Sequence, residues 1–159
     1  MHRKTQIFVA FATVFCALLL VPAGLAASKL SQAESGLLRA VNATRTAHGL
    51  QPLQVDSTLV AAARSHSTEM LRGDYFAHGD FRGRMLGFHV RGPVVGENLA
   101  WGTGSYAAAG TVISEWLRSP EHRANLLRPS FTRIGIGASQ GSFLGAAGAV
   151  VLTADFAGH

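Results

Sequence analysis

The sequence predicts a layered α+β domain, and three observations predict it. Two amphipathic helical stretches occupy the first half of the chain, two partly alternating apolar runs close it, and no repeat or low-complexity linker breaks the order. A single strand-like segment, 94 to 100, sits between a loop rich in Gly and Arg and further helical sequence. Each amphipathic helix has one apolar face to bury, and antiparallel strands with one apolar side supply the surface for it.

The chain opens on a leader-like stretch. His2, Arg3 and Lys4 give a positive start, Ile7 to Val21 an apolar run, and Pro22 to Ala26 a small-residue exit. The run falls short of the roughly 20 residues of a comfortable bilayer span. The expectation is therefore a signal peptide, residues 1–26, cleaved after Ala26 or Ala27, with no stable membrane span afterwards; the alternative is an uncleaved N-terminal anchor. Cys16 would leave with the leader. Removal of 26 of the 159 residues leaves 133, a usual size for one domain, 27–159, with no cysteine left to form a disulfide. Loss of Arg3 and Lys4 reduces 14 basic residues to 12 against 9 acidic, a weak bias spread along the chain. No basic stripe interleaves with aromatics, so nucleic acid is not an expected partner.

Ser31 with Glu34 three positions on forms a capping box, and Leu37, Leu38, Val41 and His48 follow at helical spacing, so 31 to 48 should be a helix ended by Gly49. Asp56 caps a second helix with the stripe Leu59, Ala63, His66 and Met70, closed by Gly73. Residues 74 to 92 read as a long loop with one helical turn around Met85 to Phe88, and Val94 to Ala100 as a strand. Ser105 is expected to cap a third helix whose face carries Tyr106, Ala109, Ile113, Trp116 and Leu117, and Ser119-Pro120 to start a short fourth. Residues 131 to 138 and 147 to 156 should pair as an antiparallel hairpin.

Three segments carry chemistry: Tyr75-Phe76-Ala77-His78, Gly96-Glu97-Asn98-Leu99-Ala100-Trp101, and Ser119-Pro120-Glu121-His122-Arg123-Ala124-Asn125. Glu97 is a charge in an otherwise apolar strand and needs a partner, which His78 and His122 could supply. Imidazole nitrogens suit zinc or a similar divalent cation, and a carboxylate serves as a further ligand or as the acceptor that orients a ring. His122 falls in a first helical turn, where the helix dipole favours the neutral ring. The bland reading stands beside this one: the three side chains form a polar network that holds loop 74 to 92 on the sheet. His66 reads as a hydrogen-bonded core histidine, His48 as a helix cap, Arg45, Asn42 and Asn98 as structural donors, and Trp101 and Trp116 as packing.

These segments resemble the CAP superfamily, the cysteine-rich secretory, antigen 5 and pathogenesis-related-1 proteins, in its short bacterial form. Further matching pieces are Val41-Asn42-Ala43-Thr44-Arg45, His48-Gly49-Leu50, Trp116 and Ile134-Gly135-Ile136-Gly137, so the resemblance runs from about Ser31 to Ala157. It implies a three-layer α-β-α sandwich with a small antiparallel sheet, and a cleft of two histidines and two glutamates. His78, Glu97 and His122 match three of the four. The second glutamate is missing: at its place, three residues past Trp116, stands Ser119, and neither Glu115 nor Glu121 substitutes safely. The metal ligands implied are His78 and His122, with Glu97 and Asn98 in support.

No His-Glu-x-x-His, no Gly-x-Ser-x-Gly and no cysteine past the leader is present, which removes the commonest peptidase and esterase signatures. No catalytic residue is therefore assigned. The preferred reading is a secreted, monomeric binding or interaction module of the cell envelope or exterior, whose cleft takes a lipid, sterol or envelope component and a divalent cation such as zinc. One alternative is a metal-dependent hydrolase, with water activated at His78 and His122 and Glu97 as base. The other is a structural factor of the envelope.

Overall fold

The computed structural model describes residues 29–158, so the expected leader, with Cys16, lies outside the described residues. Helix α1, Gln32–Ala47, begins with the predicted capping box: the Ser31 hydroxyl accepts from the Glu34 amide and the Glu34 carboxylate from the Ser31 amide. Strand β1, Gln54–Val55, leads into helix α2, Ser57–Gly73, whose first amides are held by the Asp56 side chain. Helix α3, Phe81–Gly87, is the helical turn expected in the long loop. Strand β2, Val94–Gly102, is followed by a 3-10 turn, Gly104–Ala107, and by helices α4, Ala109–Arg118, and α5, Pro120–Leu126. Strands β3, Phe131–Phe143, and β4, Ala146–Gly158, complete the chain.

Four strands form one sheet in the order β1-β3-β4-β2. The sheet is mixed rather than purely antiparallel, because the two residues of β1 pair parallel to Arg133 and Ile134 of β3. Side chains on β4 alternate between the layers. Leu152, Ala154 and Phe156 join Leu37, Val41, Val112, Ile113 and Trp116 in the larger core, between the sheet and α1, α4 and α5. Ala157 packs instead with Leu59, Ala62 and Met85 of α2 and α3 on the opposite face. The result is the three-layer sandwich, with β2 as the free edge of the sheet.

Two close approaches fix the α2 layer. A Cβ on Gly135 would lie 2.0 Å from the Leu59 carbonyl carbon, and one on Gly137 2.2 Å from that of Ala63, so only glycine lets the helix backbone rest on the strand. Buried Arg45 at the end of α1 donates to the carbonyls of Gln51, Leu126, Arg128 and Phe131, fastening α1 to the segment that leads into β3.

Three local expectations need correcting. Ser105 does not cap the third helix: it lies in the 3-10 turn, the helix starts at Ala109 after Ala108, and Tyr106 stands 73% exposed instead of joining the buried face. The break arises because Gly104 takes a positive φ of 51° and Ala108 is extended, which separates the turn from the helix. Ser119 sits at the N-cap of α5 without a side-chain hydrogen bond, leaving the first turn to Pro120, which has no amide to satisfy. The final hairpin is longer than its apolar core, since β3 and β4 run on to a two-residue turn at Leu144 and Gly145, both with positive φ.

Candidate functional site

Glu97 lies on the inner side of edge strand β2, 5% exposed, and its two oxygens are separately held. The His78 Nδ1–H donates to Oε1 at 2.7 Å, and the Arg84 guanidinium of α3 binds Oε2. His66 of α2 brings its Nε2 to 3.8 Å from the same oxygen, while that nitrogen donates to the Ala77 carbonyl at 3.0 Å. The predicted need of this carboxylate for partners is thus met by His78 and by a residue the sequence did not single out, Arg84. His122 is not among them. Arg84 also donates to the His78 carbonyl, so one guanidinium braces the 74–92 segment internally and ties it to the sheet through Glu97.

His122 belongs to the other side of the β2 edge. Its backbone carbonyl accepts from the Asn98 amide at 2.9 Å, and its ring lies against Trp116, with centroids 6.4 Å apart and 27° between planes. Asn98 in turn accepts from Asn125, whose amide also reaches the Glu97 carbonyl at 3.0 Å. These bonds use the Asn side chains to dock α5 on the strand edge, the structural role expected of Asn98. Burial, and then the charge of nearby His78, hold the His122 imidazole below its ordinary pKa, so it favours the neutral form. The same form was expected from its place in the helix.

On the His122 side of β2 opens a cleft of about 320 Å³, lined by Phe76, Leu99, Ala100, Trp101, Trp116 and His122, with Glu115 and Ser119 on its polar side; Glu97, His78 and Arg84 do not line it. Trp101 is 37% and Phe76 41% exposed, and both rings meet Phe143 edge to face. Glu115, set aside by periodicity, does border this cleft, although it is exposed and ion-paired with Arg118. Trp116 is buried as expected.

The donor set bears on metal chemistry directly. Among the described residues no group of three or more His, Cys, Asp or Glu side chains is placed to hold a metal ion. Glu97 is engaged by His78 and Arg84, and the two imidazoles His78 and His122 alone are fewer than the three protein ligands usual for an open zinc site. His66 is fully buried, with burial first and Arg84 second keeping it neutral, in agreement with its reading as a core histidine. Sequence reasoning missed Arg84, which it grouped with the other loop arginines, and Asp155, a charge in an apolar strand like Glu97 itself.

Residues 38–156 match the family described as CAP: Cysteine-rich secretory protein family. The chain is 37% identical over 117 residues to protein YkwD of Bacillus subtilis (strain 168), across 70% of this chain and 44% of YkwD. It is 36% identical over 107 residues to pathogenesis-related protein 1 of Arabidopsis thaliana, across 67% of this chain and 57% of that protein. Its fold is similar to that of an extracellular protein containing an SCP domain from Bacillus anthracis str. Ames, with a TM-score of 0.68 and 26% identity over 80% of this chain and 40% of that one. The chain spans roughly half the length of the relatives it matches.

Proposed function

From the premise that this chain belongs to the cysteine-rich secretory protein (CAP) family, we propose that it is an extracellular binding module whose β2-edge cleft takes a lipid or another cell-envelope component. One observation carries the preference for binding over catalysis: both oxygens of buried Glu97 are already bonded, to His78 and Arg84. A general base must come within hydrogen-bond reach of the proton it takes, and Glu97, held by these two residues, is not among those that line the cleft. Glu97 instead holds His78 and Arg84 of the 74–92 segment, the segment from which Phe76 reaches the cleft. The mixed lining of aromatic rings with a few polar groups is the usual make-up of a small-ligand site.

The test uses a convenient property of the chain. Its two tryptophans, Trp101 and Trp116, both line the cleft, so intrinsic fluorescence reports occupancy. Titration of the exported domain with phospholipid vesicles, and separately with purified cell-wall polymer, should give a saturable change that Trp101→Ala weakens. No response to either probe overturns the reading. A calorimetric zinc titration beside a His78→Ala, His122→Ala variant decides the cation alternative. Zinc uptake lost in that variant, together with zinc-dependent cleavage of a peptide or ester panel, would establish the hydrolase instead. Wall association without any effect on the cleft fluorescence would leave the structural factor.

A further inference from the structure

Asp155 is fully buried in the middle of β4, and neither of its side-chain oxygens meets a hydrogen-bond donor. Its strand is interior to the sheet. On one side it pairs with Gly135 of β3, which offers no side chain, and on the other with Glu97 of β2. Residues directly opposite in an antiparallel pair present their side chains to the same face, about 5 Å apart at Cβ. That face is the α2 and α3 layer: two residues before Asp155, the Thr153 hydroxyl accepts from Ser67 of α2, and two residues after, Ala157 packs on Leu59 and Met85.

Two ionised carboxylates are acceptors only and cannot bond each other. The charged and titratable groups facing them are few. Arg84 of α3 supplies one positive charge, the His78 ring of the 74–92 segment donates to Glu97, His66 of α2 is held neutral by burial and by Arg84, and β3 contributes none at this position. With the His78 ring in its neutral form, one guanidinium against two buried carboxyl groups leaves one negative charge in excess, and a site this dry relieves the excess by keeping a proton. Glu97 can still accept, since each carboxylate oxygen has two lone pairs and only one is used by His78 or Arg84.

We propose that Asp155 is a neutral carboxylic acid whose O–H donates to Glu97, so that the pair carries one negative charge matched to Arg84 and Asp155 fixes the orientation in which Glu97 receives His78. Burial first, and then the Glu97 charge, raise the Asp155 pKa well above the carboxylate range, against the opposing pull of Arg84. The arrangement follows the known rule for carboxyl pairs that share a single proton. Asp155 touches no ligand and acts through Glu97, so it is a positioning residue for His78. The inference does not depend on the binding reading, because it concerns the unliganded domain.

The test is carbon-13 NMR of the aspartate and glutamate carboxyl groups in the exported domain, with Asp155 assigned by Asp155→Asn. The expected Asp155 signal at neutral pH is that of the protonated acid. Asp155→Asn, which keeps a donor toward Glu97, should retain the fold and the Nδ1-protonated tautomer of His78 seen by nitrogen-15 NMR. Asp155→Leu, which removes the donor, should reduce that tautomer's population. An ionised Asp155 signal at neutral pH overturns the proposal, as does a His78 tautomer that is the same in all three proteins. If either variant fails to fold, the wild-type carboxyl signal decides alone.

Discussion

The indole N–H of Trp116 donates to the carbonyl of Leu99 at 3.0 Å, joining α4 to the free edge of the sheet. Both ends of this bond are buried, and Asn125 satisfies the Glu97 carbonyl two residues earlier in the same way. Side-chain donors thus close an edge that would otherwise offer unpaired carbonyls to another strand.

Trp116→Phe keeps an aromatic ring but removes this donor and leaves a small void. Denaturant unfolding should show a loss of about 2–3 kcal/mol, from the orphaned carbonyl together with the lost packing. A loss below about 0.5 kcal/mol would mean that the bond contributes little at this edge.

Gly135→Ala introduces a Cβ at 2.0 Å from the Leu59 carbonyl carbon and 2.2 Å from the Val60 nitrogen, and backbone cannot rotate away as a side chain can. The variant should lose about 3 kcal/mol or more. Gly145→Ala, by contrast, meets no atom within 4 Å and pays only for its positive φ of 79°. Thermal melts of the two variants should separate clearly, with Gly135→Ala the lower.

Leu144 holds a φ of 48° at the first position of the final hairpin turn, 46% exposed, where a bulky side chain is strained and asparagine is not. Its amide donates to the Asp74 carboxylate, a bond that substitution of the side chain leaves intact. Leu144→Asn should therefore stabilise the domain by about 1 kcal/mol, or raise Tm by about 4 °C. An unchanged or lower Tm would show that Leu144 contacts outweigh the strain.

His66 gives the acid side of the pH profile. Its pKa is depressed by burial and then by Arg84, so below the ordinary histidine range the unfolded chain binds a proton that the folded one resists. The contribution is intact above about pH 6.5 and is lost as pH falls. His66→Gln places an amide near the Ala77 carbonyl without a titrating ring. Its stability between about pH 7 and 5 should fall less steeply than that of the parent protein.

The sequence made the helices legible through their ends. Ser31 with Glu34, and Asp56, are local signals, and local signals survive folding unchanged. Trp116, Ile113 and the Leu59 to Met70 stripe were legible through periodicity, because burial follows helical phase. The site was legible in composition and only partly in connection. His78 and Glu97 are joined as the residue types required, yet Glu97 meets Arg84 instead of His122, whose carbonyl is held by Asn98, the next residue along β2. Arg84 carried no signal stronger than three nearby arginines in one loop. Asp155 did carry one: an acidic residue amid Thr153, Ala154 and Phe156 is the same anomaly that drew attention to Glu97. The Ser105 cap failed because a glycine two positions before Tyr106 permitted a separate turn that no periodicity records.

Arg45 binds four carbonyls from two stretches of chain, Gln51 and residues 126 to 131, and the described residues contain no cysteine. What many small exported domains accomplish with a covalent crosslink is accomplished here by a guanidinium that needs neither an oxidant nor an isomerase to form its contacts. The domain can therefore reach its final fold in a reducing or an oxidising medium alike, and thiol reagents have nothing to attack in it.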